Sequence, residues 1–257
     1  MSRRVKQVVY GILYLVIIGL IITGVYFLFL KPTPSCFDNI QNQGETGVDC
    51  GGPCAKLCIP TNIAPVVPLG AVTIFSPLAG HVTVLAELEN TNSDFAASSF
   101  NYVVTLYGAD GSSVVANVPG SSFAYAAETK YLVLPNEDVP ASVSRATIAV
   151  SDIQWVPSAQ LGLVPQFAFT NVTGTVATTG YATVSGNITD RDVSSFNNVI
   201  VVAIFKNSAG MLIGASQTEL DSLASNATQD FSISYPATAS SSVDISETEL
   251  HAYAERD

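Results

Sequence analysis

Residues Val8 to Leu30 form an uninterrupted run of 23 residues without a charge. As a helix rising 1.5 Å per residue the run spans roughly 34 Å, enough for a hydrocarbon core ~30 Å thick. A helix is the form that satisfies every backbone N–H and C=O within one segment in lipid. Tyr10 and Tyr14 lie toward one end, and Tyr26, Phe27 and Phe29 toward the other, as interfacial aromatics do. Arg3, Arg4 and Lys6 precede the run and only Lys31 follows it closely. Positive residues stay on the cytoplasmic side, so the expectation is a single-pass plasma-membrane protein with a cytoplasmic N-terminus and an extracytoplasmic C-terminus. A cleaved signal peptide is the competing reading. Its apolar stretch is shorter, however, and Phe27 to Pro32 offers no small-residue cleavage site. Gly19 and Thr23 have the small-xxx-small spacing of helix pairing, and they are equally ordinary residues of a membrane helix.

Charge divides at the same place. Residues 1–31 carry +4 and no acid, and the whole chain carries −11, which leaves −15 for residues 32–257. A phosphate backbone would repel such a body, so nucleic acid is excluded as a partner. Only 12% of residues are charged against 48% hydrophobic, with the remaining polarity in Ser, Thr, Asn and Gly. That mix is typical of all-β extracytoplasmic domains.

All four cysteines, Cys36, Cys50, Cys54 and Cys58, fall in one short stretch, and the following 199 residues contain none. Clustering, an even count and an external location predict two disulfides, with three pairings open. Zinc binding by four thiolates is the alternative, although the spacing departs from paired C-x2-C. Asp38, Asn42, Glu45 and Asp49 could offer oxygen ligands to calcium, although their spacing matches no EF-hand loop. A solvated acidic turn is the plainer reading, and no other cofactor is expected. The segment from Cys36 to Cys58 resembles a Cys-rich motif of secreted bacterial proteins, C-x-D-G-x-x-N-G-x-E-T-x-x-D-C-G-G-x-C-x-x-C. Asp38, Asn42, Glu45, Thr46, Asp49, Gly51 and Gly52 match it. Asn39 and Gln43 replace glycines, and the last gap is three residues instead of two. The resemblance implies an extracytoplasmic spacer without catalysis.

Residues 59–69 hold three prolines and are expected to be an extended linker. Short alternating runs follow, among them Val82–Leu88, Phe100–Tyr107, Val114–Val118, Tyr131–Leu134 and Thr147–Val156, with Asp110-Gly111 as a hairpin signal. The pattern then recurs. Val82-Thr-Val84 matches Ala182-Thr-Val184, and Ser98–Asn101 matches Ser194–Asn197. Val103–Tyr107 matches Val201–Phe205, Gly111 matches Gly210, and Tyr131–Val133 matches Phe231–Ile233. Offsets of 96 to 100 residues predict a duplicated unit of about 90 residues and about seven strands, an immunoglobulin-like sandwich. Leu220 to Ser225 is expected to be a short turn. The second unit, through Tyr181–Thr189, Val199–Phe205, Ala209–Gly214 and Asp230–Pro236, resembles the FxLYD-type β-sandwich. Phe205-Lys206 and Tyr107-Gly108 stand where that family has Tyr-Asp. The resemblance implies a fold and a surface location, and no activity.

The expected organisation is a cytoplasmic tail (1–7), a transmembrane helix (8–30), a Cys-rich stalk (31–60) and two sandwiches (61–158 and 159–257). Residues suited to catalysis are few. His81 and His251 are expected to be exposed strand residues outside any motif. The carboxylate pairs Glu137-Asp138, Asp190/Asp192 and Glu247/Glu249 are expected to be solvated loop charges, and no phosphate-binding or nucleophile-elbow motif occurs. Glu89, Asn90, Asn92 and Asp94 occupy the loop equivalent to Asp190–Asp192, a place where calcium can bridge sandwiches; a plain polar loop is preferred. Trp155, the only tryptophan, is expected to pack on a core. Asn171-Val-Thr, Asn187-Ile-Thr and Asn226-Ala-Thr are glycosylation sequons. The expected role is a non-enzymatic structural or binding module held to the bilayer. The alternatives are a subunit of an envelope complex with other surface proteins as partners and, at the least weight, a hydrolase.

Overall fold

The computed structural model describes residues 2–31, 33–177, 180–236 and 243–256. The chain forms two compact units, residues 1–58 and 59–257.

The first unit begins with helix α1 (Arg3–Val25), which continues as a π-helical turn over Tyr26–Leu30. No residue of either segment is buried against protein, so a large apolar surface is left uncovered. Thr23 Oγ1 donates to the Gly19 carbonyl one turn back, which satisfies the hydroxyl within the helix. The cysteine segment follows, crosslinked by Cys36–Cys54 and Cys50–Cys58.

The second unit is all β. Strands β1 (Val67–Pro68) and β2 (Thr73–Phe75) pair with one edge of β3 (His81–Glu89), and β6 (Thr129–Asp138) pairs with the other. The facing sheet is β5 (Val114–Ala124), β4 (Phe95–Gly108) and β7 (Val143–Pro157). A short helix α2 (Ser158–Leu161) leads to the second half. There β8 (Phe167–Val176), β9 (Tyr181–Asp190) and β12 (Thr228–Pro236) form one sheet. Strands β11 (Leu212–Leu223), β10 (Phe196–Lys206) and β13 (Asp244–Glu255) form the other. Both halves follow the same strand order, and each is a sandwich. The first has seven strands because its leading strand is broken into β1 and β2, and the second has six among the described residues.

Side-chain alternation builds the cores. Val82, Val84 and Leu88 of β3 face Phe100, Tyr102, Val104 and Leu106 of β4. Ala182, Val184 and Ile188 of β9 face Val199, Val201, Ala203 and Phe205 of β10. Trp155 packs on the first core, as expected.

Three expectations change. Residues 64–69 are docked: Val66 is buried, Leu69 N donates to the Glu87 carbonyl, and Asn92 Nδ2 donates to the Ala64 carbonyl. Leu220 to Leu223 belongs to β11: its ladder with β10 continues through Val199–Leu220 and Phe196–Leu223, across Asn198 with positive φ, and both leucines reach the core despite the turn-like Asp221-Ser222. The matched blocks Val103–Tyr107 and Val201–Phe205 do not share a facing. Phe205 points into the core, whereas Leu106, not Tyr107, does so in the first half. The glycine turns give the facing that fits. Gly111 N donates to the Gly108 carbonyl and Gly210 N to the Asn207 carbonyl, which makes Leu106 the counterpart of Phe205. A one-residue slip reverses every side chain on a strand.

The halves pack on each other through a third apolar layer. Leu85 and Val133 on the outer face of β3–β6 meet Val202, Ile204, Ala215 and Tyr253 of β10, β11 and β13. Strand β10 is therefore buried on both faces, which explains its unbroken apolar run Val199–Phe205. One end of the junction is fastened by Tyr125, whose hydroxyl donates to the Ala254 carbonyl at 3.0 Å and accepts from Arg256 N at 3.1 Å.

Candidate functional site

In the cysteine segment Asp38, Asn42, Glu45 and Asp49 come together in one loop, committed to holding it folded. Asp49 accepts from the backbone amides of Asp38 and Asn39, at 3.0 Å each. Asp38 accepts from Ile40 N and from Asn42 Nδ2, and the Asn42 contact draws its carboxyl below the usual carboxylate range. Glu45 is buried; its Oε2 accepts from Asn42 N and Asp49 N, and its Oε1 lies 3.1 Å from Cys54 Sγ. That sulfur is in a disulfide and has no proton to donate, so the contact is non-bonded. A cation would have to compete with these amides, and Asn42 Oδ1 is the one buried side-chain oxygen here without a partner. The four sulfurs are consumed in disulfides, so none offers zinc a thiolate. The Gly51-Gly52 pair has a steric origin: both have positive φ, and a Cβ would collide with Thr46 Oγ1 at Gly51 and with the Gly44 carbonyl at Gly52.

His81, at the start of β3, is half-buried, and its Nδ1 lies 2.8 Å from Asp138 Oδ1. The two face each other because β3 and β6 pair in that register. A cavity of about 350 Å³ opens beside it at the junction of the halves, lined by Leu78, His81, Thr83, Ser216, Tyr235 and Pro236 among others. Among the described residues no hydroxyl hydrogen-bonds the His81 ring, so the base-and-carboxylate pair has no attached nucleophile. Thr83 Oγ1 accepts from Asn136 N, and the Tyr235 hydroxyl donates to the Ile213 carbonyl.

His251 departs from its expected exposure. It is half-buried in the junction, its ring 4.8 Å from that of Tyr131, and burial lowers its pKa. Beside it Lys206 pairs with Glu249. Glu249 is thus a strand residue with a partner, not a loop charge.

The loops after β3 and β9 are built alike around a buried side chain. Asn90 Oδ1 accepts from Asn92 N at 3.1 Å, and its amide donates to the carbonyls of Phe95 and Tyr125. Asp190 Oδ1 accepts from Asp192 N at 2.7 Å, but its Oδ2 is buried without a partner, and burial raises its pKa. Asp192 pairs with Arg256, which holds its carboxyl below the usual range. Neither loop leaves an array of free carboxylates.

Sequence alone misses Lys130. Its residue is 4% exposed, its Nζ donates to the Phe123 carbonyl at 2.9 Å, and the ring of Phe123 lies 3.7 Å away and that of Tyr253 5.0 Å. Burial pushes its pKa down to about 8, against the attraction of Glu128. The signal in the sequence is a lysine two residues before Leu132 and four before Leu134, at the spacing of the apolar face of its strand.

No protein-family model and no curated protein matches the chain. Among solved structures it is similar to a red sea bream transglutaminase (12% identity, TM-score 0.23, 76% of this chain and 31% of that one). It is also similar to a β-glucuronidase of glycoside hydrolase family 2 (9%, TM-score 0.23, 81% and 25%). The chain spans about a third or less of those proteins, and the likeness is too slight to bear on function.

Proposed function

We propose that the protein is a membrane-anchored surface module of structural or binding character, with residues 32–257 outside the cytoplasm and no catalytic role. The observation that carries this is the helix Arg3–Leu30, uncharged from Val8 to Leu30 and with none of its residues buried among the described residues. Such a surface needs a bilayer. Two disulfides fit an oxidising compartment, and the repeated strand order supports a duplicated unit presented at the surface. His81 with Asp138 lacks a nucleophile, which favours binding over hydrolysis. A membrane-impermeant amine reagent applied to intact cells tests the orientation. Labelling of Lys56 and Lys206 with Lys6 spared supports it, and the reverse pattern overturns it. Turnover of ester or glycoside probes that is lost in His81→Ala would overturn the non-catalytic reading.

A further inference from the structure

The outer face of the sheet β8–β9–β12 is a ladder of hydroxyl and amide groups. Thr183 and Ser234 meet at 2.9 Å, Ser185 and Ser232 at 3.0 Å, and Thr189 and Thr228 at 2.7 Å; Asn187 donates to Asp230 between them. The three N-x-T sequons of the chain converge on this sheet, and none lies in the first half or on a face covered by the junction. Thr173, Thr189 and Thr228, their hydroxyl residues, lie in β8, β9 and β12.

The acceptor asparagines differ in access. Asn171 is exposed on the edge strand β8, at a bulge between Thr170 and Thr173, with φ 52°. Asn226 is exposed in the tight turn before β12, with φ 58°, and its amide donates only to Ser225 Oγ. Asn187 sits on the central strand β9, half-buried, its amide on Asp230 and its oxygen accepting from Asn171. Transfer to asparagine needs a sequon that lifts away from its ladder. The edge bulge and the turn permit that, and a strand paired on both sides does not.

We infer that Asn226 and Asn171 are N-glycosylation sites and that Asn187 stays unmodified as the rung that orders the face. In the reaction the side-chain nitrogen bonds to the anomeric carbon of a lipid-pyrophosphate-linked oligosaccharide. The anomeric C–O bond breaks, the lipid pyrophosphate leaves, and the nitrogen gives up one proton. No electrons change hands. The inference rests on the extracytoplasmic placement proposed above.

The test is peptide mass spectrometry of the full chain purified from its native membranes, with amidase release in heavy-oxygen water to mark each occupied asparagine as labelled aspartate. The expected result is label at Asn226 and Asn171 and none at Asn187. Asn226→Gln and Thr228→Ala should each remove one glycan mass while the other remains. Unlabelled Asn171 and Asn226, or label confined to Asn187, overturns the inference. Amine labelling of Lys56 and Lys206 on the same cells separates the two failures. Labelled lysines with unmodified asparagines defeat only the glycosylation, and protected lysines defeat the placement itself.

Discussion

The same sheet face occurs twice in this molecule and is finished in two different ways. In the first half Leu85 pairs with Val133 across β3 and β6, and both are buried by the second half. In the second half the pair in that register is Ser185 with Ser232, joined by a hydrogen bond and facing solvent. The next pair along is Glu87 with Tyr131 in one and Asn187 with Asp230 in the other. The opposite sheets show the complementary exchange. Counted back from the turns at Gly111 and Gly210, Asn101, Val103 and Thr105 stand where Ile200, Val202 and Ile204 bury themselves in the junction. A stacked pair is thus apolar where the halves meet and polar on the two faces left open, as terminal repeats of stacked proteins are. A few outward-facing positions on otherwise similar strands decide which face docks.

The largest test of this contrast places a charge on each face. Val133→Asp should cost about 4 kcal/mol, because the carboxylate is buried without a partner. Ser232→Asp should cost less than about 1 kcal/mol, as exposed substitutions do. Guanidinium unfolding of the detergent-solubilised full chain, followed by circular dichroism, measures both. Equal costs would mean that the junction does not hold in solution. Next in size, Leu85→Ala should cost about 3 kcal/mol by cavity formation, against less than about 1 kcal/mol for Ser185→Ala. Trp155 fluorescence reports on the first half alone, so its coincidence with the circular dichroism transition shows whether the halves unfold together.

The buried loop residues sharpen the comparison further. Asn90→Asp should cost about 2 kcal/mol at neutral pH, since its amide donates to two carbonyls that a carboxylate would repel. The loss should shrink on acidification. Asp190→Asn should act in the opposite sense. A carboxyl whose folded pKa is raised contributes stability below its unfolded value near 4 that is lost as pH rises through the folded value. The variant should therefore gain on the native chain as pH is raised from 4, read as the difference between their melting temperatures. The smallest effect concerns Lys130. With its folded pKa pushed down to about 8, its stabilisation is complete above the unfolded value near 10.4 and is lost as pH falls through 8. Stability should therefore rise by about 1 kcal/mol between pH 7 and 9, and Lys130→Met should abolish that rise.

Much of the architecture is legible in the residues because it rests on local rules. The uncharged run, the four clustered cysteines and the period-two strands each specify their element without reference to the rest. Legibility ends where distant partners decide. The choice of Cys36–Cys54 over the other two pairings depends on a loop closed by the carboxylates of Asp38, Glu45 and Asp49. His251 is buried against Tyr131 of the other half, and alternation within its own strand gives no sign of it. Lys130 shares the inward face of Leu132 and Leu134, but its enclosure by Phe123 and Tyr253 depends on distant strands. The recurring blocks lead to two halves of the same strand order, yet the facing slips by one residue where likeness of letters, Tyr107 with Phe205, competes with the geometry of the glycine turn.

The segment between the halves carries a consequence of its own. Ser158 N donates to the Asp94 carbonyl, Leu161 is buried with Ala96 and Tyr125, and Arg191 N donates to the Gln166 carbonyl. A proteinase in the surrounding medium must bind several residues of extended, free backbone, and these anchors leave only a short exposed stretch at Leu163 and Val164. Any separation of the halves must therefore begin with the loss of the junction, and a body so connected would transmit a pull along the chain as one piece instead of paying out slack between two.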